Sequence, residues 1–473
     1  MGPPMKRSKH VEAPKRENCL DKISNLPDEL LGHILSFLPT RFAVSTSILS
    51  TRWRYLFTLT TCLSFEDCGI EEEYNRTDFT EVAPRFKEFV DKFLKLHQVS
   101  PIKKFSLLCR STYKNSDLNQ WVSHALKKGV QELHYELANR IDCMPDGFFK
   151  CETLVNLKMI GRGYNKSEIP LSTSLPKLKI LHLGSIKFND LNFMERLLSR
   201  CECLQKLTLE YCRCYTDGGH ATHCTGILKV LTIRNCSFKR GTFEIDAPNL
   251  AYLKYSSNIG VKMVPSWKNL RSAYDTNEGS PKYDHELLNA VACKATKFHF
   301  KKHAIKIFFQ LDEDKHMSDF ASLSSVQVNK CPYHAWEYVT SLMDKSPQLE
   351  TVVFESCFLG CSYCAYCEDL DDCPSNSESP NLVPFSCHVQ VIEVHNFCGL
   401  DPDSLSFMEH LLTNASRLKR FFVHMDGSDD HDLERDLELG KYLLMLPRAS
   451  KDCHVEFKFR TGNTSLISAP DRG

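Results

Sequence analysis

The chain has 473 residues, 42% hydrophobic and 25% charged, a globular composition with room for roughly two to four domains or one long repeat array. Lys+Arg and Asp+Glu both number 59, so the basic excess of a general nucleic-acid binder is missing, and no run of about 18 apolar residues offers a membrane span. The 22 cysteines are too sparse for a disulfide scaffold, and no apolar core follows Lys6, Arg7, Lys9, Lys15 and Arg16 to make a secretory signal. The expectation is free thiols in a reducing compartment, the nucleus or the cytoplasm.

Residues 1–18 are polar and read as a flexible tail, in which Lys6-Arg7 and Lys15-Arg16 have the spacing of a two-part nuclear signal. Residues 19–66 read as three short helices. Pro27-Asp28-Glu29 is a helix start, and Leu30, Leu31, Ile34, Leu35 and Leu38 form an apolar stripe that Pro39 stops. Ala43, Val44 and Ile48 mark a second helix. Ser50 is placed to cap a third that carries Trp53, Leu56 and Phe57. Three helices in so short a segment cannot bury all these groups among themselves, so some must face a partner.

Ile23-Ser24-x-Leu26-Pro27-Asp28-Glu29-Leu30-Leu31, Ile34-Leu35-Ser36-Phe37-Leu38-Pro39-Thr40 and Ser47-Ile48-Leu49-Ser50-x-Arg52-Trp53-Arg54-x-Leu56 resemble the F-box of plant proteins. Phe57 stands where relatives often have Trp, and the aromatic is kept. The resemblance implies docking on the Skp adaptor of a cullin–RING ubiquitin ligase. It implies that Leu26, Pro27, Ile34, Leu35, Leu38, Pro39, Val44, Trp53 and Leu56 supply much of the apolar contact, although several of them, Trp53 above all, equally suit the core of the unit.

Phe86, Phe89, Val90, Phe93 and Leu94 then recur at helical spacing. A repeat follows, apolar at i, i+3 and i+5: Ile102/Phe105/Leu107, Val130/Leu133/Tyr135, Leu154/Leu157/Met159, Leu178/Leu181/Leu183, Leu204/Leu207/Leu209 and Leu228/Leu231/Ile233. It continues from Leu250/Leu253/Tyr255 through Ala295/Phe298/Phe300, Leu323/Val326/Val328, Leu349/Val352/Phe354 and Val389/Ile392/Val394 to Leu418/Phe421/Val423. The period of about 26 residues lies in the leucine-rich-repeat range and predicts one short strand per repeat in a solenoid over residues 80–383. Segments such as Trp336–Met343 have the spacing to cover its outer side. Cys212, Cys236, Cys331 and Cys357 fall at i+8, where such repeats close the turn after the strand.

Leu175-Pro176-x-Leu178, Leu197-Leu198-Ser199-x-Cys201 and Phe243-x-Ile245-Asp246-Ala247-Pro248-Asn249-Leu250 look like plant F-box/leucine-rich-repeat proteins. Residues 384–460, ending in Leu446-Pro447-Arg448-Ala449-Ser450-x-x-Cys453-x-Val455-x-Phe457, resemble the FBD domain at their C-termini, with 461–473 as a tail. The fold class expected is α/β: a three-helix F-box, then the solenoid, then an α/β FBD segment continuing it.

No cofactor, metal site or catalytic group is expected. Gly161–Ser167 imitates a phosphate loop but lacks the Gly before Lys166. Cys361, Cys364 and Cys367 lie in residues 358–384, which read as an acidic insertion lengthening one repeat, and lack a second C-x2-C pair for zinc. Cys212, Cys214, His220, His223 and Cys224 read as a loop around Gly218-Gly219. The leading function is a non-catalytic substrate-recognition subunit of an SCF-type ligase, bound to the Skp adaptor and through it to cullin and RING proteins. A plain repeat scaffold and a small-molecule co-receptor are the alternatives. Strand alternation turns the residue between i+3 and i+5 away from the core. That row includes Lys158, His182, Thr208, Thr232 and Lys254, expected to meet an acidic or phosphorylated segment of a protein substrate.

Overall fold

The structure is a computed structural model and describes residues 23, 25–67, 82–137, 147–161, 174–188, 196–214, 220–224, 226–238, 242–256, 261–264, 270–275, 294–301, 320–329, 336–355, 388–397, 402–425, 433–458 and 465–467. The tail at 1–18, the insertion at 358–384, Cys331 and Cys357 lie outside these residues, as do most of Gly161–Ser167 and the side chains of Cys214, His220, His223 and Cys224.

Pro27 sits immediately before the helix Asp28–Leu35, whose first turn holds Asp28 and Glu29 at the positive helix end. The helix ends at Leu35, short of Pro39, and the Ser36 hydroxyl donates back to the Gly32 carbonyl at 2.9 Å. Pro39 instead opens the next helix, Thr40–Ser45. Ser50 does not cap the third element with its side chain; its carbonyl accepts from Trp53 N–H, and Trp53–Leu59 winds as a 3-10 helix. That segment is rich in aromatic and β-branched residues, which lose side-chain freedom in an α-helix. Arg52 ties the unit together, its guanidinium 2.6 Å from the Asp28 carboxylate and 2.5 Å from the Leu26 carbonyl.

Gly32 is where the first and third elements touch. A Cβ there would lie 2.6 Å from the Leu59 Cβ. Gly32→Val is therefore expected to cost about 2–3 kcal/mol or more by forcing the two apart. A thermal melt indistinguishable from wild type would show that they separate freely.

The remainder is built on one sixteen-stranded sheet, parallel throughout except at its last strand. The first strand is Cys62–Glu66, paired with Lys104–Cys109. The F-box boundary expected at 66 therefore falls inside the solenoid, because Leu63 and Phe65 alternate inward as the repeat strands do. From there the pairing runs through Glu132–Leu137, Asn156–Ile160, Ile180–Gly184 and Lys206–Glu210, each in register with the next. Val391–Phe397, Arg420–Met425 and His454–Lys458 extend the same sheet, so the C-terminal segment continues the solenoid without a break. Residues 461–473 are not all tail, since Ser465–Ile467 pairs antiparallel with His454–Lys458.

The i, i+3 and i+5 residues form the core: Leu154, Leu157 and Met159, for example, are all buried, while Lys158 between them is half-buried on the other face. The helices Val82–Leu96 and Asn115–Lys127 cover the buried face at the N-terminal end, where Trp121 donates to Asp91 at 2.7 Å. Trp336–Asp344 and Pro402–Asn414 do so further on, with Trp336 stacked on Phe407 at 4.4 Å. Between them lie two small three-stranded parallel sheets, one formed by Lys187–Phe188, Arg213–Cys214 and Ser237–Phe238, the other by His220–Cys224, Thr242–Asp246 and Val261–Val264. Among the described residues no helix is long and apolar enough to cross a membrane.

Candidate functional site

The apolar stripe of the first helix splits into two faces. Leu31 and Leu35 point into the core, whereas Leu30, Ile34 and Leu38 point out. Phe37, Phe42, Ile48 and Leu49 join the outer set, with Ile48 86% and Phe37 77% exposed. Nine of the seventeen exposed large apolar side chains among the described residues fall between Ile23 and Tyr55. Such clustering in a small segment marks an interaction surface, because single scattered apolar groups need no partner but a contiguous patch does.

Of the contact residues expected from sequence, Pro27, Ile34, Leu38 and Pro39 are exposed on this segment. Leu26, Val44 and Trp53 are partly buried against the core. Leu35 and Leu56 are corrected: at 2% and 4% exposure they are internal supports with no surface to offer. Leu30, Phe37, Phe42, Ile48 and Leu49 were missed by the sequence reading. Only Leu30 shares the helix of Leu31 and Leu35; the others lie beyond it, on segments whose outward faces are set by how the unit packs.

The segment is fixed to the sheet. Thr40 Oγ1 accepts the Ser64 N–H at 2.7 Å, and Ser36 Oγ accepts that of Thr61 at 2.9 Å. Phe57 packs on Phe93, which packs on Phe65. Anything docked on the helices therefore holds a set orientation to the sheet.

On the open face the second candidate surface is one continuous register: Ser106, His134, Lys158, His182, Thr208, Thr232 and Lys254 stand side by side on successive strands. Thr208 is corrected as a contact residue, being only 7% exposed between its neighbours. His182 and Lys158 are half-buried, as are Thr232 and Lys254. His182 Nε2 lies 3.2 Å from Glu210, which also takes Arg234, and His134 Nε2 lies 3.2 Å from Glu136. Burial is the main force holding both histidines below the usual histidine range, with Lys158 adding to it. At neutral pH they are uncharged, so the row carries less positive charge than its histidine content suggests.

The turn positions after the strands are built as the repeat requires. Ser185, Tyr211 and Asn235 adopt positive φ, and the next residue of each turns inward as Ile186, Cys212 or Cys236. Cys212 Sγ donates to the Leu183 carbonyl at 3.4 Å. Burial pushes the Cys212 thiol up and the Cys201 thiol to about 12, so neither has thiolate character. Cys203, which is exposed, is expected to alkylate fast in the native protein, whereas Cys201 and Cys212 label only after unfolding. Labelling of all three at one rate, followed by mass spectrometry, would contradict this placement. Among the described residues no three His, Cys, Asp or Glu side chains cluster to hold a metal.

Comparison with known proteins agrees with this architecture. A family model of the F-box domain matches residues 23–62. A model described as FBD-associated F-box protein At5g56370, LRR repeats, matches residues 118–270. F-box/LRR-repeat protein At2g42730 of Arabidopsis thaliana is 30% identical over 94% of this chain and 100% of its own length. This chain belongs to the F-box/leucine-rich-repeat family. Putative F-box/LRR-repeat protein At3g58880, also of Arabidopsis thaliana, is 32% identical over 80% of this chain and 87% of its own length. A putative F-box/FBD/LRR-repeat protein of the same plant, At3g59240, is 28% identical over 93% of this chain and 89% of itself. Within this F-box/leucine-rich-repeat protein the exposed apolar cluster coincides with the F-box match, and the open register coincides in large part with the repeat match.

Proposed function

We propose that this protein is the non-catalytic substrate-recognition subunit of an SCF-type ubiquitin ligase. The observation that carries the reading is the exposed apolar cluster of the F-box, held at a fixed angle to a sheet whose opposite end is more than three hundred residues away in sequence. The F-box binds a Skp-type adaptor, and through it cullin and RING proteins; the open face of the repeats binds a protein substrate. Rigidity between the two is what the chemistry asks for. Ubiquitin transfer speeds up when the substrate lysine is held near the charged conjugating enzyme, and a loose joint would dilute that gain.

Lys158 remains the best-placed cation in the first half of the open register. It makes no hydrogen bond or ion pair among the described residues and stands between two uncharged histidines. It offers a charge-assisted bond to an acidic or phosphorylated substrate segment.

Co-expression with a Skp-type adaptor and a cullin tests the reading. A stoichiometric complex is expected from the whole chain, and a chain lacking residues 1–60 is expected to lose it. Recovery of the whole chain without the adaptor, under conditions where another F-box protein retains it, would leave a plain repeat scaffold.

A further inference from the structure

Near the C-terminal end of the sheet the open face sinks into a recess of about 780 Å³. Two carboxylates line it, in different states. Glu393 is neutralised: its Oε1 lies 2.6 Å from Arg420 Nη2 and its Oε2 3.2 Å from His395 Nε2. Glu355 is held differently. Its Oε1 accepts from Gln327 Nε2, its Oε2 accepts from Asn329 Nδ2 at 3.0 Å, and His299 Nε2 stands 3.5 Å from Oε2. Gln327 and Asn329 fix the carboxylate without bringing charge, and among the described residues no Lys or Arg pairs with it.

A carboxylate oriented by amide donors keeps its charge and part of its lone-pair capacity for something else. Glu355 is 32% exposed, and that exposed part opens on the recess. Beside it the rings of His395 and His424 also line the recess, 6.2 Å apart and nearly perpendicular, each resting against Phe422 at 5.8 and 6.3 Å. Burial, Lys458 and His395 hold His424 below the usual histidine range, so its ring offers an uncharged face to the recess. A preorganised anion beside flat rings fits a planar cation better than a compact ammonium.

We propose that this recess takes an arginine side chain of the protein substrate, its guanidinium paired with Glu355 and laid against the face of the His424 ring. The inference rests on the reading that the repeats hold a protein substrate, and it supplies the chemical class of one contact.

The test uses the full chain co-purified with a Skp-type adaptor, so that adaptor capture is scored in the same sample. Resins carry nine-residue random peptides with a fixed central arginine, lysine, citrulline or glutamate. Arginine resin is expected to retain the complex about tenfold or more over citrulline resin, its uncharged isostere, with lysine in between. Glu355→Gln is expected to erase the preference. Val353→Arg, which leaves Glu355 in place and supplies the cation from the recess itself, is expected to erase it too, and both variants are checked by thermal melting. Equal retention on arginine and citrulline, or a preserved preference in a folded Val353→Arg protein, overturns the proposal. Loss of the arginine preference with intact adaptor capture removes the recess alone. An arginine preference without adaptor capture removes the ligase reading alone.

Discussion

Replacing Ile48 and Leu49 together by Asp is expected to abolish capture of the Skp-type adaptor while moving the melting temperature by only about 2 °C. Both side chains lie at the end of a short 3-10 turn and are 86% and 65% exposed, so the fold has little stake in them. The docked state does. Burying each is worth about 1.5–3 kcal/mol, and two carboxylates placed there add a desolvation cost with no partner. A loss beyond a hundredfold in affinity follows. Met445→Asp is the control, since Met445 is equally exposed but lies in the C-terminal helix Leu433–Met445. Undiminished adaptor capture by the Ile48/Leu49 variant would place the contact elsewhere on the F-box.

That pair was not among the contact residues expected from the sequence, and the reason is physical. An apolar stripe tells how many groups need burial, not which side a partner will cover. Leu30, Leu31, Ile34, Leu35 and Leu38 read as one set, yet the fold divides them between its own core and the solvent. Leu56 is spent inside the unit, where Gly32 lets Leu59 come close. The resemblance to F-box proteins located the segment, but the faces of its helices depend on how three elements pack, which no local pattern encodes.

The sheet was legible for the opposite reason. Each repeat strand is short, flanked by a turn and buried on one side only, so alternation alone fixes the register of Lys158 beside His182 and His134. What alternation could not give was the state of the charges. Glu210 and Glu136 come from one step further along their strands, on the same face, and they capture the histidines. Glu355 stands at the equivalent step after Val353. Extending the row by two residues would have found it. Only the structure shows that its partners there are amides, whereas those of Glu393 include an arginine.

His97→Gln is expected to lower stability by about 2–3 kcal/mol at pH 7.5 and to flatten the dependence of stability on pH below 6.5. His97 is fully buried where the F-box meets the solenoid. Its Nε2 lies 2.7 Å from the Thr60 carbonyl, and its ring stacks on Phe93, which also holds Phe57 and Phe65. Nδ1 has no partner among the described residues, so a second proton there would be buried without compensation. Burial, the largest influence, pushes His97 below its ordinary value of 6.5, Lys128 adds to it, and the Thr60 carbonyl opposes. Between the folded value and 6.5 the unfolded chain binds the proton and the folded chain does not. The stabilisation is therefore complete above 6.5 and is lost as pH falls from there toward the folded value. His124, His134 and His182 are displaced the same way, so the variant should retain part of the slope. Melting curves from pH 7.5 to 5.5 give the comparison, and equal slopes for variant and wild type would remove His97 from the account. The proposed ligase function gives this joint a further expected consequence. Loss of the His97–Thr60 bond is expected to loosen the joint between F-box and sheet, so that under the proposed function ubiquitin transfer falls while adaptor capture is unchanged.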